Sequence, residues 1–359
     1  MMINVIEYNS SLLSKGAGLS SNITQNSTLR FNIFELSDAM ARTICSRHLN
    51  NFQYWIDFVT RLLELKLLVS PILRSSNIKL IEERVNFLRD FSRTTRIGEL
   101  SQAIVHIYLR KNLSYIAITD FELFCSLNTI TIPPNSSTPD FVAQTSSNVT
   151  SKNICIAESK GSLTRSTTSV KSLLVKAKQQ CNQGANILNG VFNIVQELAF
   201  CSKLSVVGEA KDSVLHYVDP IAPLSDVKGN NTPFNLHYAT WFYIIGDFTN
   251  VERLLGNEKI VFSYELFEKR NINEEDYWVL TKIPKTLNTI FCDKFDVSKF
   301  LDSLQLFKFW SVGIADKVIK LLEENRYDSF KEFEFINESE KSHEAFSDGT
   351  IIIKELENE

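Results

Sequence analysis

The segment Thr138-Pro139-Asp140-Phe141-Val142-Ala143-Gln144 is followed, after a polar loop, by Ile154-Cys155-Ile156-Ala157-Glu158-Ser159-Lys160-Gly161. One acid stands just after a proline, a second acid ends a short apolar run, and a lysine comes two residues later. Alternate side chains of a strand point the same way, so Glu158 and Lys160 share a face and Ser159 points to the other. Two carboxylates and an ammonium then converge on one spot. Carboxylates gather Mg2+, and a lysine beside the metal can hold a water and a phosphate oxygen, the minimum apparatus for cutting a phosphodiester. Each residue also has a plainer reading. Glu158 and Lys160 could be a strand-edge ion pair worth under about 1 kcal/mol, and Asp140 a turn residue after proline.

The flanking chain must supply the elements that hold these groups. Residues 97–109 carry Leu100, Ala103, Ile104 and Ile107 at helical spacing, with Glu99 in the first turn, where the helix dipole alone would favour an acid. Runs rich in β-formers follow at 115–124, around Asp140 and at 153–160. Residues 169–189 predict a helix with Leu174, Ala177, Cys181, Ala185 and Leu188 on one side and Lys171 and Lys178 on another. Residues 195–207 read as a strand, or as a helix followed by a strand, and 214–218 as a strand. The order helix, three strands, helix, strand is thus carried by periodicity over a core at 96–219. Upstream, residues 1–30 predict a loose lead-in or irregular strand-and-turn, and 31–95 a helical region with helices to Leu49, at 52–63, and through Leu80, Val85, Leu88 and Phe91. Downstream, 220–359 predict an α+β extension: a surface loop at 220–233, a buried helix at 236–255, short elements at 260–262, 277–280, 297–307 and 315–324, and a turn into an edge strand at 349–354.

Composition narrows the class. The chain has 359 residues, 44% hydrophobic and 22% charged, a globular balance. No run of about 18 apolar residues is present to cross a bilayer, and the N-terminus has no basic and apolar leader, so the expectation is a cytoplasmic protein with no membrane partner. Six scattered cysteines without CxxC and five dispersed histidines argue against both zinc and a disulfide framework. The net charge is -4, but it is unevenly placed. Residues 152–190 hold six bases (Lys152, Lys160, Arg165, Lys171, Lys176, Lys178) against one acid, whereas residues 321–359 hold twelve acids and four bases. A local basic face matters more for phosphate binding than the whole-chain sum; the same residues also read as ordinary solvated surface.

The pairing of Pro139-Asp140 with Glu158-Ser159-Lys160 resembles the signature of the PD-(D/E)XK nuclease superfamily, over residues 99 to about 218 and neither flank. The resemblance implies an α/β protein with a restriction-endonuclease-like core, a mixed central sheet flanked by helices, here with the helical N-terminal region and the α+β extension. It implies that Asp140 and Glu158, with the Ser159 carbonyl, hold Mg2+ (Mn2+ substituting), that Lys160 orients water or stabilises the phosphorus, and that Glu99 reaches the metal directly or through water. Arg165, Lys171, Lys178, Gln179 and Gln180 would face nucleic acid, with at most one of the two glutamines turned into the site. Three other acid-x-Lys sites compete (Glu64-Leu-Lys66, Glu209-Ala-Lys211, Asp226-Val-Lys228), and none has an upstream Pro-Asp and a following basic helix. The expected activity is Mg-dependent hydrolysis of DNA, with RNA the second substrate. No base-reading module is recognisable, so specificity would come from the flanks or from a protein partner, as in an effector of a bacterial defence or restriction system. A catalytically inactive nucleic-acid-binding or scaffold subunit is the alternative, and a partner-sensing protein without nucleic-acid contact the third.

Overall fold

Every residue of Tyr115–Asp120 is buried, and so are the first seven of Asn153–Leu163. Strands this apolar need cover on both faces, which helices supply. The computed structural model describes residues 1–9, 23–49, 77–88, 90–148, 151–218, 232–281, 310–333, 335, 338–339 and 342–354. Its elements are β1 (Met2–Tyr8), β2 (Ile23–Arg30), α1 (Ile33–Cys45), β3 (Lys79–Leu80), α2 (Glu82–Phe87), α3 (Asp90–Lys111), β4 (Tyr115–Asp120), α4 (Phe121–Leu127), β5 (Phe141–Thr145), β6 (Asn153–Leu163), α5 (Val170–Leu188), β7 (Asn193–Val206) and β8 (Val214–Val218). They continue with α6 (Thr232–Ile244), α7 (Phe248–Leu255), β9 (Phe267–Ile272), β10 (Glu275–Leu280), β11 (Trp310–Ala315), α8 (Asp316–Glu324), β12 (Glu338–Ser339), β13 (His343–Ala345) and β14 (Thr350–Lys354).

The protein is α/β, with a mixed central sheet flanked by helices. That sheet runs β2-β1-β8-β7-β6-β5-β4, with β3 added beside the end of β7. The stretch β4-β5-β6 is an antiparallel meander, and α5 then carries the chain to β7, which lies parallel to β6. A second sheet, antiparallel throughout, runs β12-β13-β14-β11-β10-β9. The helix α6 is buried at every position from Pro233 to Tyr243, as expected for a helix apolar on all sides. One continuous apolar core includes residues of both sheets and of α1, α3 and α6.

The helices α3 and α5 cover opposite faces of β6. Ser159 on β6 meets Ser101 of α3, Oγ to Oγ, at 2.8 Å. Two residues on, Gly161 has no room for a side chain, because a Cβ there would lie 2.5 Å from the Ile97 carbonyl oxygen of α3. On the other side, α5 begins at Ser169, whose hydroxyl caps the Ser172 N–H at 3.1 Å, and lays Leu174, Ala177, Cys181 and Leu188 onto the sheet. Gly184 of α5 lets Pro139 in: a Cβ would sit 2.6 Å from the proline ring. Gly161→Ala is expected to destabilise the fold by about 1–3 kcal/mol through overpacking against backbone, read as a lower urea midpoint.

A buried charged network ties α1 to the hairpin of β13 and β14. Arg42 of α1 donates through Nε to both oxygens of Asp38 at 3.1 Å, through Nη2 to Thr350 at 3.1 Å, and pairs with Asp348 at 3.4 Å. Arg110 of α3 donates to Asp38 at 3.0 Å. His237 accepts the Ile118 N–H at Nδ1, so its Nε2–H faces Asp348 at 2.7 Å. All six side chains are buried.

At the far side of the main sheet, Tyr8 of β1 bonds His216 of β8 through its hydroxyl at 2.9 Å. Burial, with Lys203 nearby, pushes the His216 imidazole down to about 4 from its ordinary 6.5. A base held down in the folded state contributes stability that is full above 6.5 and is lost as pH falls through about 4. Denaturant titrations across that window are expected to show a pH slope shallower by nearly one proton in His216→Gln than in the parent protein.

Several expectations from sequence need correction. Of the two readings for residues 1–30, the strand one holds in the described parts: Met2–Tyr8 and Ile23–Arg30 are strands of the main sheet and not a loose lead-in. The run at 115–124 divides where Asp120 caps α4 by accepting the Leu123 N–H at 2.9 Å. At 195–207 the strand reading holds through Val206, and the helix-then-strand alternative does not; 236–255 divides into two helices, and 260–262 form no strand. Thr350–Lys354 lies inside its sheet between β13 and β11 and is not an edge. The expected helix at 52–63, most of the loop at 220–233 and the element at 297–307 fall outside the described residues. Cys45, Cys125, Cys155, Cys181 and Cys201 are buried, as small core residues.

Candidate active site

Asp140 precedes β5 directly, and the antiparallel register pairs Phe141 with Ala157. One step outward along that register sets Asp140 beside Glu158. The alternation of β6 then does what the spacing predicts: Ser159 turns to α3, while Glu158 and Lys160 stand together on the α5 side, where the Lys160 ammonium donates to Glu158 Oε1. Glu158 is only 2% exposed and Lys160 27%. The other carboxylate oxygen, Glu158 Oε2, is buried and has no hydrogen-bond partner among the described residues.

Asp140 is held from three directions. Its Oδ2 accepts the Ser159 backbone N–H at 2.9 Å, and its Oδ1 accepts Gln102 Nε2 at 2.6 Å and Arg47 Nη2 at 3.2 Å. Arg47, on the turn that follows α1, also donates through Nε to Asp120 Oδ2 at 3.1 Å. Gln180 of α5 donates to the Thr138 carbonyl at 2.8 Å, and so steadies the segment that presents Asp140.

The electrostatics of the pair follow from burial. Glu158 is pushed up to about 8, first by loss of water and then by the Asp140 carboxylate beside it, with Lys160 opposing. Asp140 is raised by burial, against the pull of Arg47, the Ser159 N–H, Lys160 and Gln102. Asp120 is likewise raised by burial, against Arg47. Two adjacent buried carboxylates that both resist ionisation mark a place short of positive charge.

The remaining predicted residues are placed as follows. Glu99 pairs with Arg96 at 3.0 Å, and the residue of α3 that reaches Asp140 is Gln102, one turn further on. Among the described residues, no group of three or more His, Cys, Asp and Glu side chains gathers as a metal site. Lys178 is engaged by Glu197 at 2.6 Å, and Arg165 by Asn86 at 2.7 Å and Glu82 at 3.4 Å. Lys171 is partly exposed and Gln179 exposed. Of the two glutamines, Gln180 is the one turned toward the site. The rival Glu209 belongs to the turn after β7, where it accepts from Ser205 Oγ at 3.2 Å and from Thr164; Glu64 and Asp226 lie outside the described residues. Sequence reading missed Arg47, Gln102 and Asp120. Gln102 had a usable signal, since it follows Glu99 by three residues on the same helix face; Arg47 had none.

Compared with family models, with curated proteins and with solved structures, the chain has no match.

Proposed function

We propose that the protein is a metal-dependent nuclease that hydrolyses phosphodiester bonds of DNA on a restriction-endonuclease-like core. The observation that carries this reading is Glu158: a buried carboxyl beside Asp140, one oxygen on Lys160 and the other without a partner. The order of helix α3, meander β4-β5-β6, helix α5 and parallel strand β7 supports the fold side of it.

A divalent cation fits the donor set. Asp140 and Glu158 offer hard oxygens, the Ser159 carbonyl is adjacent, and an added positive charge would let both carboxyls ionise. When bound, Mg2+ supplies Lewis acidity and an acidified water. The chain's own residues do the rest. Glu158 and Asp140 would hold the ion beside Lys160, whose ammonium faces a phosphate brought there. Lys160, a quarter exposed, donates to the attacking water or to a non-bridging oxygen as negative charge builds there. Water adds to phosphorus as the P–O ester bond breaks, and the leaving oxygen takes a proton.

A second reading, a nucleic-acid-binding or scaffold subunit without turnover, is favoured by one observation. Asp140 already accepts three hydrogen bonds and Lys160 is closed onto Glu158, so every charge has an internal partner. Supercoiled plasmid and single-stranded RNA, incubated with Mg2+, Mn2+ or EDTA, separate the two. Cleavage of DNA with metal and none with EDTA is the expected result. Salt-dependent DNA binding without cleavage under either metal would establish the scaffold instead.

A further inference from the structure

The donors on Asp140 are unequal. The Ser159 N–H is fixed by the pairing of β6, and Gln102 donates at 2.6 Å from the packed helix α3. Arg47 makes the longest contact, 3.2 Å, from a side chain 51% exposed, while Asp140 and Asp120 are 10% and 7% exposed. A carboxylate has about four acceptor sites, and three are taken. A cation arriving at Oδ1 must compete with a donor already there, and the exposed, longest one yields first.

Arg47 would not be set loose. Its Nε stays on Asp120, which cannot release it cheaply, because Asp120 is buried and its other oxygen caps α4. Its backbone follows α1, which Arg42 pins to Asp348 and Asp38 pins to Arg110 of α3. Movement is therefore confined to the guanidinium. Two of its five N–H donors serve the acids, and the others sit on a half-exposed side chain beside the proposed reaction centre, in the planar fork that matches phosphate. The charges agree: Asp120, Asp140, Glu158 and the neighbouring Glu122 outnumber Arg47 and Lys160 by two, so a divalent ion would cancel the excess negative charge that repels an anionic substrate.

Resting on the nuclease reading above, we infer that Arg47 is an internal stand-in for the metal, held by Asp140 until a divalent ion takes that carboxylate, and that it then turns about Asp120 to grip a substrate phosphate. Calorimetric titration with Ca2+ tests the first half without cleavage, and binding of an intact DNA duplex in Ca2+ at several salt concentrations tests the second. Arg47→Met is expected to bind Ca2+ at least about fivefold more tightly than the parent, because a competing charge is gone. Its DNA binding should weaken, with a log–log salt slope smaller by about one. Arg47→Lys, which keeps a charge on Asp120 but cannot fork to Asp140, carries the same Ca2+ expectation if Arg47→Met fails to fold. Ca2+ affinity equal to or weaker than the parent's in a folded variant would show a structural clamp and overturn the inference alone. A parent protein that takes up no Ca2+ and no Mn2+ overturns it together with the nuclease reading.

Discussion

Lys160→Ala and Glu158→Ala are each expected to lower metal-dependent cleavage of plasmid DNA by at least about 100-fold, the scale of removing one preorganised group that stabilises developing charge. The two should differ in everything else. Lys160 lies at the rim and, among the described residues, its ammonium bonds Glu158 alone, so its loss leaves the fold and the uptake of a divalent ion in place. Glu158 supplies the unpartnered buried oxygen, so Glu158→Ala is expected to lose divalent-ion binding along with cleavage. Neither change should unfold the protein, because Glu158 is already disfavoured as a buried carboxylate beside Asp140. Unchanged cleavage by both purified variants would assign the activity to another site or to a contaminant.

The largest effect on stability is expected at Asp348. It is fully buried, and its Oδ2 lies 2.7 Å from His237 and 3.4 Å from Arg42. Its Oδ1 accepts the Thr350 N–H at 2.9 Å and the Thr350 hydroxyl at 2.6 Å. Removing one partner of a buried ion pair leaves the other charge without compensation, which costs about 3–5 kcal/mol. Asp348→Ala should therefore lower the urea midpoint sharply, while Arg253→Ala, at an exposed pair 3.9 Å from Glu258, should leave it unchanged. Equal midpoints for the two variants would remove the network from the account of stability. Because Arg42 and Arg47 follow one another on α1 and its terminal turn, Asp348→Ala is also expected to loosen the hold on Asp140.

What could be read locally was read. The apolar stripe of α5 and the alternation at Glu158, Ser159 and Lys160 are properties of single elements, and they stand as the spacing predicts. What was missed depends on distant partners. Ile23–Arg30 exposes nearly every side chain and buries only Leu29, so it carries no alternation to find; β1 supplies its reason to be a strand. Thr350–Lys354 looks like a terminal edge because the short strand that covers it, His343–Ala345, is too brief to show a period. Asp120 reads as one more residue of an apolar run until its carboxylate is seen capping α4 and holding Arg47. Arg47 itself lies 93 residues before the carboxylate it touches, and nothing in its neighbours points there.

The parallel pairing of Met2–Tyr8 with Val214–Val218 has a consequence in time. Tyr8 waits for a partner 208 residues later, and Arg42 for Thr350, 308 residues later. Contacts this distant in sequence form late and slowly. During synthesis, Asp140, Glu158 and Lys160 emerge long before the sheet beside them is complete and before the helix leading to Arg47 is fastened. A chain interrupted partway would hold Asp140, Glu158 and Lys160 without the strands and the helix that align them.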